Sequence, residues 1–408
     1  MNMIHFRIAA GRALALVITG LLTTPLLADT AGEQAKLAAA NNAFAFDLMG
    51  QVAKTQPGAN VFLSPFSVSS ALQMTANGAA GKTKAEMQHA LSLDGLPAGS
   101  LNAAFKGLNQ QLTTHKDVTL TLANGLWVQN DFRLKPAFVS ANHKFFQAEL
   151  ANVNFGDPQA AQAINDWADH QTQGKIKQVV QFPFPPLTRL VLANAIYFKG
   201  QWVKPFEKQG TRPRDFHQAN GQSKQAPMMN QDGHFAYQAT AKFQAVKLPY
   251  LGGLEMQLFL PATNSSPAQL LAELTAKGAW PDVQNGFAQH EGAVTLPKFK
   301  LEFDVLLNDA LKTLGMQSAF ASDADFSNLA NEPLYISQVK QKSYVDVNEQ
   351  GTEAAAVTTV TMTAMAIMRP PADRFEMVLD RPFFFVISET ASGSILFTGI
   401  VNDPVAAK

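Results

Sequence analysis

The order in which strand-forming and helix-forming runs follow one another limits the architecture of this chain more than any other feature. From residue 118 onward, β-branched and aromatic residues gather in VTLTLANGLWV (118 to 128), LVLANAIYF (190 to 198), FQAVKLPY (243 to 250), LEMQLFLP (254 to 261) and AVTLPKFKLEF (293 to 303). Such residues suit a pleated, half-buried surface, so these runs predict strands. Near the C-terminus PFFFVISE and SILFTGIV, separated by the turn-forming TASG, predict two more. The first third reads differently. Residues 38 to 91 are predicted helical, with AANNAFAFDLMGQVAK at helical spacing and a break at Gln56, Pro57 and Gly58. A second helix is announced by SPFSVSSALQMTANGA, where Ser64 is placed to cap and Pro65 sits at the first helical position. Further helices are predicted over 136–148, 160–173 and 304–314. Strands and helices that do not alternate regularly indicate an α+β fold rather than a repeated βαβ sheet.

Length alone suggests two or three domains in 408 residues. No repeat, low-complexity linker or charge block divides the chain, however, so residues 29–408 are read as a single domain. Lys plus Arg equals Asp plus Glu at 32 each, which leaves no global field to attract nucleic acid or an anionic membrane. His5, Arg7 and Arg12 precede the apolar ALALVITGLL and then TTPLLA, the layout of a secretory signal over residues 1–28. Thr23, Thr24 and Pro25 interrupt the apolar run before the roughly 20 residues a spanning helix needs. The protein is therefore expected to be exported, to a periplasm or out of the cell. With no cysteine, it lacks disulfides, a thiol nucleophile and thiolate metal ligands, and its stability rests on burial and hydrogen bonding.

No enzymatic motif is complete in the sequence. GAAGKT (Gly78 to Thr83) lacks the earlier glycine of a phosphate loop, because position 76 is Ala76. Ala391-Ser392-Gly393-Ser394 lacks the first glycine of a nucleophile elbow and lies between two predicted strands. The eight histidines form no H-x-x-x-H or H-x-H pair, and His89, His143 and His170 read as surface or boundary residues on helices. The chain is not expected to be an enzyme or to carry a cofactor or metal.

One segment resists local assignment. Asn348 to Met365 reads NEQGTEAAAVTTVTMTAM: the triple alanine suits a helix, whereas the alternation from Val357 to Thr363 suits a strand. As a strand, it would place Thr352, Ala354, Ala356, Thr358, Val360 and Met362 on one face without a charge, and Glu353 on the other.

That segment lies within an ordered series of blocks. NVFLSPFSVSSAL (60 to 72), INDWADHQTQGKI (164 to 176), LVLANAIYFKGQWVKPF (190 to 206), VTLPKFKLEF (294 to 303) and LKTLGM (311 to 316) come first. VDVNEQGTEAAA (345 to 356), DRPFFFVI (380 to 387) and GSILFTGIVNDP (393 to 404) follow. Together they resemble the serpins, serine-protease inhibitors that act by conformational change, across essentially the whole chain after residue 28. The resemblance implies three β-sheets, about nine helices and an exposed reactive-centre loop, here about 349–371. In that family a protease is acylated at the loop, which then inserts as a strand into the large sheet and traps the enzyme.

By this resemblance Gly351, Thr352, Glu353, Ala354, Ala355 and Ala356 form the hinge, with Gly351 as a flexible pivot. The reactive bond falls fourteen positions beyond Gly351, at Met365-Ala366, with Met362 and Met368 as alternatives. Ser64, Ser67 and Asn194 match the polar cluster under the point where the large sheet parts. Gln341 stands in place of the family's frequent histidine, and Trp202 matches the aromatic at the sheet's top. A medium apolar bait residue implies an elastase-, chymotrypsin- or subtilisin-like serine endopeptidase as partner, with a papain-like cysteine protease as a further candidate, and a monomeric inhibitor. A hinge with no bulky, charged or proline residue on the face of Thr352, Ala354 and Ala356 favours inhibition over a non-inhibitory, binding or chaperone-like member.

Overall fold

The computed structural model of the protein describes residues 26–96, 98–115, 117–276, 278–352 and 374–404. Nine α-helices lie among the described residues: α1 (Leu26–Thr55), α2 (Pro65–Ala76), α3 (Gly81–Ala90), α4 (Ala98–Thr113), α5 (Pro136–Phe146), α6 (Pro158–Gln171), α7 (Pro267–Leu274), α8 (Ala279–Asn285) and α9 (Asn308–Thr313). Helix α1 ends directly before the Gln56-Pro57-Gly58 break, and α2 begins at Pro65, whose missing N–H falls where a helix has no use for one.

Strands are numbered in chain order. One hydrogen-bonded sheet contains β1 (Val61–Leu63), β5 (Arg212–His217), β6 (Ser223–Ala239), β7 (Phe243–Pro249), β8 (Leu254–Pro261), β9 (Ala288–Pro297), β13 (Phe375–Val378), β14 (Phe383–Glu389) and β15 (Ile395–Val401). Six strands make the other: β2 (Val118–Gln129), β3 (Glu149–Val153), β4 (Leu190–Gln201), β10 (Phe299–Leu306), β11 (Gln338–Asn348) and β12 (Gly351–Thr352). The three expected sheets are present as these two networks because β6 is continuous. Its stretch from Met228 to Tyr237 pairs with β9, and its end, Tyr237 to Ala239, pairs with β7, which joins two halves along one strand.

Several local expectations shift. The run 293–303 is two strands in different sheets, broken at Lys298, and residues 304–306 extend β10 where a helix is expected, so that α9 starts only at Asn308. Pairing of Asp304, Val305 and Leu306 with β11 outweighs local preference there. Ser64 occupies the N-cap position of α2 without capping it, and its hydroxyl instead donates to the Leu396 carbonyl of β15.

Helix α2 lies between the sheets, touching β15 on one side and β2 and β4 on the other, and all twelve of its residues are buried. Strand β4 is buried on both faces. Leu190, Leu192, Ile196 and Phe198 enter the main core, while Val191, Ala193 and Ala195 enter a second one with Trp127, Ile164 and Val180. Alternation along the strand sends Asn194 to the face of Leu192 and Ile196, directly over α2.

Candidate functional site

The six-stranded sheet has a seam between β4 and β11 whose two ends differ. These strands run parallel and pair directly from Gln338–Val191 to Ser343–Ile196. Further along, β12 stands between them: Thr352 pairs with Val347 on one side and Gly200 on the other, and Gly351 with Asn348 and Gln201. The sheet is thus parted at its upper end by two residues, and those residues run antiparallel to both neighbours.

Below the parting, the polar cluster expected from the sequence is assembled. Gln341 and Asn194 sit opposite each other in register, and both are buried. The Gln341 amide donates to the Ser64 carbonyl (2.9 Å) and to Asn194 Oδ1 (2.9 Å), and its Oε1 accepts from the Ser64 N–H (3.1 Å). Asn194 Nδ2 donates to Ser67 Oγ, to Asn124 Oδ1 (2.8 Å) and to the Ala123 carbonyl (3.3 Å). Every polar atom of Gln341 is therefore satisfied, which is what makes its burial tolerable. Asn124, whose amide continues the chain of bonds to Ser70 Oγ at 3.2 Å, is a member that sequence reasoning missed. Its position in the VTLTLANGLWV strand, apolar on either side, was the available signal.

Above the parting, rings and backbone replace the amide network. Trp202, at the end of β4, stacks on Tyr250 with centroids 4.2 Å apart and planes 14° from parallel. Its indole N–H donates to the Asn348 carbonyl (3.0 Å), and its backbone N–H to that of Gln350 (3.0 Å), so it grips the turn between β11 and β12. The Tyr250 hydroxyl meets Thr352 Oγ1 at 2.7 Å, both side chains being fully buried. Burial pushes the Tyr250 phenol far above its usual value of 10, against the smaller lowering effect of the Thr352 hydroxyl, so it stays protonated. Tyr250 was not singled out from the sequence, and nothing local marks it, since it meets Thr352 across about a hundred residues.

Gly351 is more than a pivot. Its φ is +145°, and a Cβ built on it would lie 2.1 Å from the Gly200 carbonyl oxygen and 2.8 Å from Gln201 Cα. Only glycine admits this approach of two backbones. Glu349, just before it, is almost fully buried, with Lys298 Nζ at 2.9 Å from one carboxylate oxygen and Thr211 Oγ1 donating to the other at 2.9 Å. Burial by itself would raise this pKa, but the bonds from Lys298 and Thr211 outweigh it and hold the carboxyl below its usual 4.5.

Of the residues expected at the site, Ser64, Ser67, Asn194, Gln341, Trp202, Gly351 and Thr352 line this one seam. Glu353, Ala354, Ala355 and Ala356, the bond Met365-Ala366, and the alternatives Met362 and Met368 lie outside the described residues. Glu349–Thr352, the start of the expected loop, belongs to the β11–β12 hairpin, and the chain is described again from Arg374.

A family model described as serpin (serine protease inhibitor) matches residues 39–404. An uncharacterized serpin-like protein of Thermococcus kodakarensis is 37% identical over 382 residues, covering 91% of this chain and 87% of the relative. The leukocyte elastase inhibitor of Sus scrofa is 36% identical, covering 90% of this chain and 100% of the relative. Among solved structures, the native state of the thermophilic serpin Tengpin superposes with a TM-score of 0.83 at 30% identity, over 90% of this chain and 94% of that one. A parted sheet with a two-residue insert, and a sequence match of this extent, agree: the chain belongs to the serpin family.

Proposed function

We propose that this protein inhibits serine endopeptidases as a suicide substrate. The protease acylates at Met365, and the freed arm extends β12 down the seam between β4 and β11. The observation that carries this reading is the register of β12. Continued by one residue at a time, it sets Glu353 opposite Lys199 and Met362 opposite Leu190, the first residue of β4. The strand that β4 has room for therefore runs out three residues before Met365, which would be carried to the far end of the sheet with the acylated enzyme. Thr352 is buried beneath Tyr250, so the residues sharing its face, Ala354, Ala356, Thr358, Val360 and Met362, would enter the core without a charge. Glu353 would face the other way.

The elastase inhibitor among the relatives and the apolar Met365 support a target of elastase-, chymotrypsin- or subtilisin-like preference. Arg369 is a poor bait for trypsin-like enzymes because Pro370 follows it. The signal-like residues 1–28 support export, to a periplasm or the medium, where the protein acts as a monomer. Incubation with a panel of such proteases is expected to yield a complex that survives denaturing electrophoresis, and a released C-terminal peptide whose mass begins at Ala366. Complete loop cleavage with no complex by any enzyme of the panel overturns the reading, and a peptide beginning at Thr363 or Arg369 moves the bait to Met362 or Met368.

A further inference from the structure

We infer that Tyr250 is a positioning residue for strand insertion: its phenol seats Thr352 between β4 and β11 before any cut is made, so that the arm grows from a register already set. The inference rests on the protease-trapping reading and adds to it the group that starts the insertion.

The Tyr250 ring is held by two neighbouring rings and by its own backbone. Trp202 stacks on one face, Phe198 meets it edge-on at 5.3 Å and 82°, and the Tyr250 backbone N–H is bonded to the Leu254 carbonyl at 2.8 Å. A ring so held presents its hydroxyl at one point, and Thr352 Oγ1 occupies that point. The arrangement is reciprocal. Withdrawing Thr352 would leave a phenolic hydroxyl in a fully buried place without the partner it has now, and a buried unsatisfied hydroxyl is unfavourable. The phenol therefore favours the parted form of the sheet over a closed one. Insertion after acylation competes with hydrolysis of the acyl bond. A strand that begins with two residues already paired on both sides avoids the slow step of bringing a free end into the gap, where entropy is lost before any bond forms. Trapping then depends on elongation alone.

The test uses the full chain and four variants: Tyr250→Phe, which keeps the ring and its stack; Thr352→Val, which keeps the shape; Thr352→Ser, which keeps the hydroxyl; and the double Tyr250→Phe, Thr352→Val. Two quantities are read, amide hydrogen exchange at Gly351 and Thr352 in the uncut protein, and inhibitor molecules consumed per protease molecule inactivated. Removing either hydroxyl is expected to speed exchange and raise consumption roughly fivefold, the factor carried by one buried hydrogen bond. The double variant should match the singles, Thr352→Ser should behave as the parent, and the loop should be cut at the parent's rate. Unchanged exchange in Tyr250→Phe overturns the inference, as does additive behaviour of the two single variants, or faster exchange with unaltered consumption. Should the parent trap no protease, the protease-trapping reading fails on its own. The rate at which the nicked chain gains heat resistance then replaces the inhibitor count, and an unaltered rate in Tyr250→Phe overturns the role of Tyr250 separately.

Discussion

The two ends of the β4–β11 seam are closed by different means. At the lower end, side-chain amides from both strands bond to each other and to the start of α2, so that Gln341, Asn194 and Ser64 exist as one network only while the strands touch. At the upper end the backbones of β4 and β11 do not pair alongside β12, and Trp202, just past β4, reaches the Asn348 carbonyl of β11 with its indole N–H. A two-residue strand fills the gap, admitted by a glycine and seated by a tyrosine. The contrast shows where a strand can enter and what it must break as it advances. Entry is already made, and an advancing strand must break the Ser343–Ile196 and Lys342–Ala195 pairings and then the Gln341–Asn194 side-chain bond.

The largest effect that tests this contrast is nicking. Full insertion adds about a dozen ladder hydrogen bonds at about 1 kcal/mol each, on the order of 10 kcal/mol. Calorimetry is expected to show the nicked protein melting roughly 10 °C or more above the intact one; equal melting temperatures would leave the seam without a reason to open. Thr352→Arg comes next. A guanidinium in place of a fully buried hydroxyl beneath Tyr250 costs several kcal/mol whenever the hinge is seated, before or after cleavage. Covalent complex yield should collapse while loop cleavage continues. Asn194→Ala acts at the other end and is smaller, at about 2 to 4 kcal/mol, since it leaves Gln341 and Ser67 short of a partner. Urea unfolding should show this loss in the intact protein and a smaller one after nicking, because insertion breaks the Gln341–Asn194 bond anyway.

The residues of the seam were legible in unequal measure. Ser64, Ser67, Asn194, Trp202 and the hinge glycine sit inside sequence blocks that carry the family resemblance, and Gln341 lies four residues before one of them. The physics that places them was not legible: Ser64 looks like a helix cap and serves β15 instead, and Gly351 reads as a hinge although its requirement is the nearness of the Gly200 carbonyl. Tyr250 and Asn124 contribute through register across the sheets, which single-sequence periodicity does not encode. Long β6, with Pro227, Gly233 and polar residues along its length, lacks the alternation that marks a strand, and its pairing with both β9 and β7 decides its conformation. Where burial is two-sided and continuous, as in β14 and β15, the sequence is explicit.

The smallest effect separates the two ends by pH. Among the described residues no titratable side chain takes part in the Gln341 network, and an amide donates and accepts without changing charge. The lower end should therefore behave alike between pH 6 and 8, and substituting histidine for Gln341 should introduce a pH dependence there. The upper end is anchored by Glu349, whose carboxyl is held below its usual 4.5 by Lys298 and Thr211 against the opposing effect of burial. A carboxyl with a depressed pKa in the folded protein contributes stability that is complete above its unfolded value and is lost as pH falls through the folded one. Acid below about pH 4.5 should thus loosen the β11–β12 hairpin first. Hydrogen exchange measured down a pH series is expected to rise at residues 347–352 before it rises at residues 338–343. Simultaneous loss of protection in both would mean that the ends of the seam open as one unit, and that the difference between amide network and seated hinge has no energetic consequence.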